Sequence, residues 1–547
     1  MLNLKSIYFY FLATKLNIEK KLKTIYFTTS FYDKKLKSKV PKQFYFFPNS
    51  FLLSSLTSHK NFAFKLSDIE PDIFWEEKNL EKDFENLHSF FWLNLIDRKN
   101  NNFLIKKIIT VWIYKNSRYK KIIWKNSITS RRIISWILNA DIILNNSDNV
   151  FKNDFLQSII VQSNHLKKNI RFEKYFLDKI ETITAILLTG LVFKDYIDNF
   201  DLANKELEKL IDNSFDNEGF PLDRNPINLL KFSKYLIIIK ECIKDSQQYV
   251  PDYLENVIDK ILNCLKSIQT PSNQIPLFNG ASEYELNDYF NYIEKLNYKI
   301  KKNKTKSGGI QIMKYKKHTV FFDVGSSPKK NYSRNYQSGP LSFEYFYGED
   351  KIITNCGFGE KISKKAILLS RLTSGQSTLC INDSSVVKFE RNKLINSAFG
   401  NSIKESFKIL NPEFKEDSSE LKSSASHNAY EKKFGCTHKR EIKIDKTKNF
   451  LLGIDNIEKL ENNKIAKINV RFHLHPSITA VQTMSGNSIL IQLNKNNSLV
   501  FTSEGNKILL EKSIFLAKNK ILNNLCINIA KEIKNNETIM WEIRKSN

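Results

Sequence analysis

Residues 299–309 read KIKKNKTKSGG, and the chain changes character across them. Before them glycine occurs only at Gly190, Gly219 and Gly280, while the other thirteen fall between Gly308 and Gly505. A glycine inside a helix costs about 1 kcal/mol against alanine, whereas turn-rich β structure needs residues that accept positive φ. The lysine-rich stretch therefore reads as a linker between an α domain and a β domain.

On its N-terminal side the apolar residues recur at helical spacing. Leu254, Val257, Ile258, Ile261, Leu262 and Leu265 form one stripe, with Pro251 at its start, where a missing N–H costs nothing. FENLHSFFWLNLI, FLIKKIITVWIY, SRRIISWILNADIIL, DFLQSIIVQSNHL, FLDKIETITAILLTGLVF and NLLKFSKYLIIIKECI repeat the pattern. Short connections make successive helices antiparallel hairpins, which stack as a solenoid or curl into a toroid. On the C-terminal side the period becomes two. HTVFFDVG, PLSFEYFYG, DKIITNCG, STLCIND, REIKID, FLLGIDNI, AKINVRFHLH and SILIQL read as strands, and MSGNS and SEGNK as hairpin turns. Many consecutive strands without intervening helices predict an antiparallel sandwich.

The 547 residues suit two large domains, and 41% hydrophobic content excludes wholesale disorder. The net charge of +27 is diluted by an excess of Asn, Ile and Lys through the whole chain, so charge alone is weak support for a nucleic-acid partner. No recognition helix, GXXG loop or RNP-like strand accompanies it. Six cysteines without CxxC spacing read as buried free thiols. No run reaches the 18 or more apolar residues of a membrane span. SIYFYFLA after Lys5 is at the lower limit for a signal peptide and lacks an A-x-A-like site, leaving cytoplasm and periplasm both open.

Two groups of residues have chemical potential. Five of the six tryptophans lie between Trp75 and Trp136, with Arg131 and Arg132 just before Trp136 and Trp124 in a cationic stretch. Aromatic faces beside cations suit sugar rings bearing carboxylates or sulfates, and they equally suit helix packing. In the β half, His473 and His475 alternate along one predicted strand, as a metal-binding or merely packed pair. SSASHNAYEKKFGCTHKREI gathers His427, Asn428, Tyr430 and His438 in what reads as a loop before a strand, either chemistry or a basic connector.

These stretches resemble the heparinase II/III-like polysaccharide lyases over roughly residues 60–547. RRIISWIL, AILLTGLVF, NEGFPLDRNPINLL, IPLFNGASE, SGGIQIMKYKKHTVFFDVG, LSFEYFYGEDKIITNCG, SRLTSGQSTLCIND, SHNAYEKKFGCTHKREI and VRFHLHP follow in the family's order. The resemblance implies an N-terminal (α/α) incomplete toroid and a C-terminal antiparallel β-sandwich. It divides the chain into 1–80 leading into the toroid, 81–300 as the toroid and 308–547 as the sandwich. Characterised members perform β-elimination on uronic-acid polysaccharides, which needs a group to stabilise the enolate, a base and an acid.

Several family positions are substituted. Leu177 and Asp178 stand where active relatives have Asn-His, and Phe220 and Asn228 where they have His and Tyr. Gln337, Ser338 and Gly339 replace His-Ala-Asp, while Asn355 and Gln376 replace an aspartate and a histidine associated with a metal. No metal and no cofactor are therefore expected. The residues retained imply His427 and Tyr430 as base and acid and Arg371 as carboxylate neutraliser. Arg132, Trp136, Trp124, Arg224, Asn228 and Asn428 are the expected substrate contacts. The expected partner is an anionic polysaccharide, met by a lyase or by a non-catalytic binder of the same fold. The oligomeric state is left open.

Overall fold

The computed structural model describes residues 4–57, 75, 84–95, 102–173, 175–301, 304–460, 465–494 and 497–546. The boundary expected near residue 80 lies outside the described residues. The longer helices are α1 (Leu4–Phe27), α2 (Ser30–Leu36), α3 (Phe84–Ser89), α4 (Asn102–Asn116), α5 (Asn126–Leu138), α6 (Asn149–Asn169) and α7 (Phe176–Val192). They continue with α8 (Ile197–Asp212), α9 (Pro226–Asp245), α10 (Asp252–Ser267), α11 (Asn287–Lys295), α12 (Lys364–Ser370) and α13 (Lys393–Phe399).

Local signals account for the ends of these helices. Asp148 Oδ1 accepts from the N–H groups of Val150 and Phe151 at the start of α6, and Asn225 caps α9 with Pro226 in its first turn. The centre of the helical half is α7, buried continuously from Ile180 to Val192 because its neighbours cover every face. A Cβ at Gly190 would come within 2.3 Å of the Phe200 backbone nitrogen, so the close approach of α7 and α8 requires glycine there. Trp92, Trp112 and Trp136 are fully buried among one another and Phe90, with Phe90–Trp136 and Trp112–Trp136 edge contacts at 5.3 Å. These rings are core, not a sugar platform.

The strands are β1 (Lys306–Ser307), β2 (Ile310–Tyr315), β3 (His318–Asp323), β4 (Phe343–Tyr347), β5 (Asp350–Thr354), β6 (Leu379–Ile381), β7 (Ile409–Glu416), β8 (Glu420–His427) and β9 (Cys436–Asp445). They continue with β10 (Phe450–Lys459), β11 (Ala466–Leu474), β12 (Thr479–Gln482), β13 (Ser488–Asn494), β14 (Asn497–Thr502), β15 (Ile508–Phe515), β16 (Leu522–Ile533) and β17 (Glu537–Lys545). One antiparallel sheet runs β1-β2-β3-β4-β5-β11-β16-β15, with β6 also paired to β11. The second runs β12-β13-β14-β17-β10-β9-β8-β7. Trp541 from the second sheet packs on Phe343 and Phe472 of the first, with ring centroids 5.4 and 4.8 Å away. Helices followed by an antiparallel sandwich is thus the architecture.

Local details differ from the sequence reading. MSGNS makes the β12–β13 hairpin, but SEGNK carries the chain from β14 in one sheet to β15 in the other. Both use a glycine at positive φ, Gly486 and Gly505, so the same tight-turn chemistry serves two destinations. The end of KIKKNKTKSGG is not free linker, since Lys306–Ser307 already pairs with β2. The predicted loop around His427 shrinks to a connector between β8 and β9, because His427 ends one strand and His438 lies within the next.

Candidate functional site

Arg224 joins the halves. It sits at φ 59°, and its guanidinium donates to the carbonyls of Gly308, Gly325 and Ser326 and pairs with the Asp323 carboxylate. A Cβ on Gly325 would overlap that guanidinium at 2.2 Å. Arg224 is therefore a buckle between the domains, and its charge is already matched.

Beside this buckle opens a cavity of about 1010 Å³ with three walls. The helical half contributes Trp124, Lys125, Tyr175, Asp178, Lys179 and Asp223. The β half contributes Lys330, Arg334 and residues 396–400. The third wall, absent from the sequence reading, is α1. Its inward residues include Phe9, Lys20, Lys23 and Phe27. The helix touches both banks. Phe27 packs edge-on against Tyr119 at 5.1 Å, and the Lys23 ammonium lies over the Phe172 ring. Towards the other end, Asn17 Nδ2 donates to the Leu394 carbonyl at 3.0 Å and Asn17 Oδ1 accepts from Ser397 Oγ at 2.7 Å. Phe9 meets Phe399 at 5.9 Å and carries the Lys330 ammonium over its face.

The cavity shifts several titrations. Burial pushes Asp223 up to about 7 against the hydrogen bonds it accepts from Asn225 N and Asn228 Nδ2, at 3.0 and 2.6 Å. Burial, reinforced by the nearby Glu173 and Glu181, pushes Asp178 up to about 6. The Tyr175 phenol is raised by burial and by Asp223, and the Arg334 guanidinium lies 4.7 Å over its ring. Burial lowers Lys23 to about 8. A carboxyl poised near neutrality beside a phenol and a cation suits proton transfer on an anionic ligand.

The structure does not bring the expected catalytic set to this cavity. His427, Tyr430 and Arg371 are fully buried, and none is among the cavity-lining residues. His427 faces His438 across β8 and β9 at 3.3 Å, and His438 Nε2 is 2.6 Å from Asp455 Oδ1. Arg440 Nε and Trp541 Nε1 bond the same carboxylate at 2.7 and 2.9 Å. The network assigns the tautomers. His438 donates to Asp455, His427 Nε2–H donates to His438, and His427 Nδ1 accepts from the Ala429 N–H. Burial lowers both imidazoles, so they remain neutral donors and acceptors. Burial would raise Asp455, but Arg440 and His438 overrule it and hold it well below the usual carboxylate range. Tyr430 OH donates to the Leu379 carbonyl, and Arg371 donates to the carbonyls of Tyr336 and Ser333 over the Phe389 ring. Nothing in this set faces a ligand-sized space.

The expected substrate contacts divide similarly. Arg132 is fully buried, donating to Gln162 and His88 and stacked 4.2 Å from Trp112, while Trp136 is core. Asn428 is half-buried at the β8–β9 turn and outside the cavity. Trp124 does line the cavity, and Asn228 stands one hydrogen bond behind it through Asp223. His473 and His475 share no ligand. His473 is satisfied by Ser513 and Ser374, and His475 by Glu283 at 3.0 Å.

The substituted positions Gln337, Asn355 and Gln376 do converge, as amides. Gln337 Nε2 and Gln376 Nε2 both donate to the Ser370 carbonyl, at 2.6 and 2.9 Å, beside the Cys356 sulfur. Asn355 Oδ1 accepts from Ser377 N at 3.0 Å, and its Nδ2 is a buried donor without a partner. A cation needs lone pairs, and these side chains turn N–H groups inward. The residues do not fit a metal, and among the described residues no three His, Cys, Asp or Glu side chains group as metal ligands.

Residues 300–542 match the family model described as heparinase II/III-like, C-terminal. The β half is thus similar to the C-terminal domain of heparinase II/III-like proteins. Solved structures that share the fold across most of the chain include two lyases. A heparinase III superposes with a TM-score of 0.66 at 13% identity, covering 87% of this chain and 80% of its own. The heparan sulfate lyase HepC of Pedobacter heparinus gives 0.63 at 14%, covering 95% and 87%. Among curated proteins, none matches the sequence. The heparinase fold, a helical half followed by a sandwich, is therefore what this chain has.

Proposed function

We propose that the three-walled cavity binds an acidic polysaccharide and cleaves it by β-elimination, in a protein divided into a toroid at 81–300 and a sandwich at 308–547. The reading is carried by one juxtaposition. Arg334 lies over Tyr175, next to Asp223, in a cavity otherwise rich in lysine. Arg334 neutralises the uronate carboxylate, which makes the C5 proton removable. Asp223, half-ionised near neutral pH, takes that proton. Tyr175 remains protonated and donates to the leaving C4 oxygen, so the C5–H and C4–O bonds break and a C4=C5 double bond forms.

Incubation with heparan sulfate, alginate and other uronate polymers should generate unsaturated ends with new ultraviolet absorbance. Asp223→Asn and Tyr175→Phe should abolish it while polymer retention on an affinity gel persists. A second reading, a non-catalytic binder, draws support from the amide cluster of Gln337 and Gln376 at substituted family positions. It predicts retention without absorbance for wild type. Absence of both retention and product would sink the glycan reading.

A further inference from the structure

Residues 1–47 hold ten of the twenty-nine large apolar side chains that stand exposed among the described residues, in less than a tenth of the chain. They are ordered. Ile7, Phe11, Ile18, Leu22 and Ile25 recur at i, i+4, i+11, i+15 and i+18 along α1, all within about 60° on the helical wheel. Phe11 is 69% exposed and Leu22 62%. The opposite side of α1 is the one committed to the cavity, so the helix is apolar on two faces and only one is covered. Exposed Lys15 and Lys21 flank the open stripe. Residues 1–42 carry ten lysines against Glu19 and Asp33.

We propose that this outward face of α1 docks on an anionic lipid surface. An apolar stripe edged by lysines is what the boundary between headgroups and acyl chains accommodates, with the helix lying in the plane of the interface. No described helix is long and apolar enough to cross a membrane, and the charges within α1 keep it at the surface. A second copy of the chain is the poorer occupant, because pairing two such faces would oppose two strongly cationic segments. A soluble acidic polymer would meet the lysines but leave the stripe wet.

The test is flotation of the full chain with vesicles of equal phosphatidylglycerol and phosphatidylcholine, against vesicles of phosphatidylcholine alone. The wild type should float with the anionic vesicles only, less so at high salt. The double variant Phe11→Glu, Leu22→Glu should partition at least tenfold more weakly. Both positions are exposed, and an unchanged thermal transition would establish that the variant is folded. Equal flotation of the variant, or no flotation of the wild type, would overturn the proposal. So would sedimentation equilibrium that finds a wild-type dimer which the double variant dissolves, since the face would then belong to a second copy.

Discussion

The sandwich interior and the cleft both collect titratable groups, yet they differ in what those groups face. In the sandwich, the chain from His427 through His438 to Asp455 and Arg440 runs between adjacent strands, and each polar atom has a protein partner. In the cleft, Asp223, Asp178 and Arg334 border about 1010 Å³ of space. Clustering by itself therefore marks architecture as readily as chemistry, and available volume separates the two. The first region should answer to perturbation through stability and the second through ligand chemistry.

The largest expected effect is acid unfolding. Burial lowers His88 and His165 to about 3, and His318 and His473 to about 4. Their folded pKa values lie below the unfolded value near 6.5, so the unfolded chain takes up protons first. The stability from neutral imidazoles is complete above about 6.5 and is lost as pH falls towards 3–4, at up to about 1.4 kcal/mol per pH unit for each group. Denaturant titrations from pH 7.5 to 4.5 should show the decline, and a flat profile would contradict the buried-histidine description. Next in size, Asp455→Ala strands the buried Arg440 and should cost about 3–5 kcal/mol in urea unfolding. A mild loss there would erase the distinction between the regions.

The cleft should respond differently. Arg334→Ala removes a charged contact with the ligand and should weaken glycan retention by roughly ten- to a hundredfold, with the unfolding midpoint unmoved. The absorbance assay should gain activity as pH rises through about 7, the value to which Asp223 is raised. A limb near 4 would remove Asp223 as the base. The smallest change is Lys125→Ala. This exposed residue pairs with Glu85 at 2.9 Å, and an effect on retention of under about threefold is expected from so solvated a charge.

Much of the fold was legible because burial writes periodicity into sequence. The stripe Leu254–Leu265 became the buried face of α10, and the glycine-bearing half became the two sheets. The site was less legible. Serines in ELKSSASH disguised β8 as loop, and a strand register, invisible in one dimension, placed His427 opposite His438. Asp178 stands where the family has a histidine, and burial beside Glu173 and Glu181 raises its carboxyl to about 6, which no local pattern reveals. Asp223 lies beside Arg224 in NEGFPLDRNPINLL, and nothing local marks it as the carboxyl that borders the cavity. The cleft role of α1 depends on contacts between residues 17 and 397, a separation no local pattern reports.

Those contacts also brace the cleft. Because α1 is fastened at Tyr119 on one bank and at Leu394 and Ser397 on the other, it works as a tie-rod across the gap. On the β side the tie is shared between the two Asn17 hydrogen bonds, about 1–3 kcal/mol together, and the Phe9–Phe399 ring contact. A ligand in the cleft would therefore lie beneath a helix pinned at both ends, and would have to enter along the groove and not from above it.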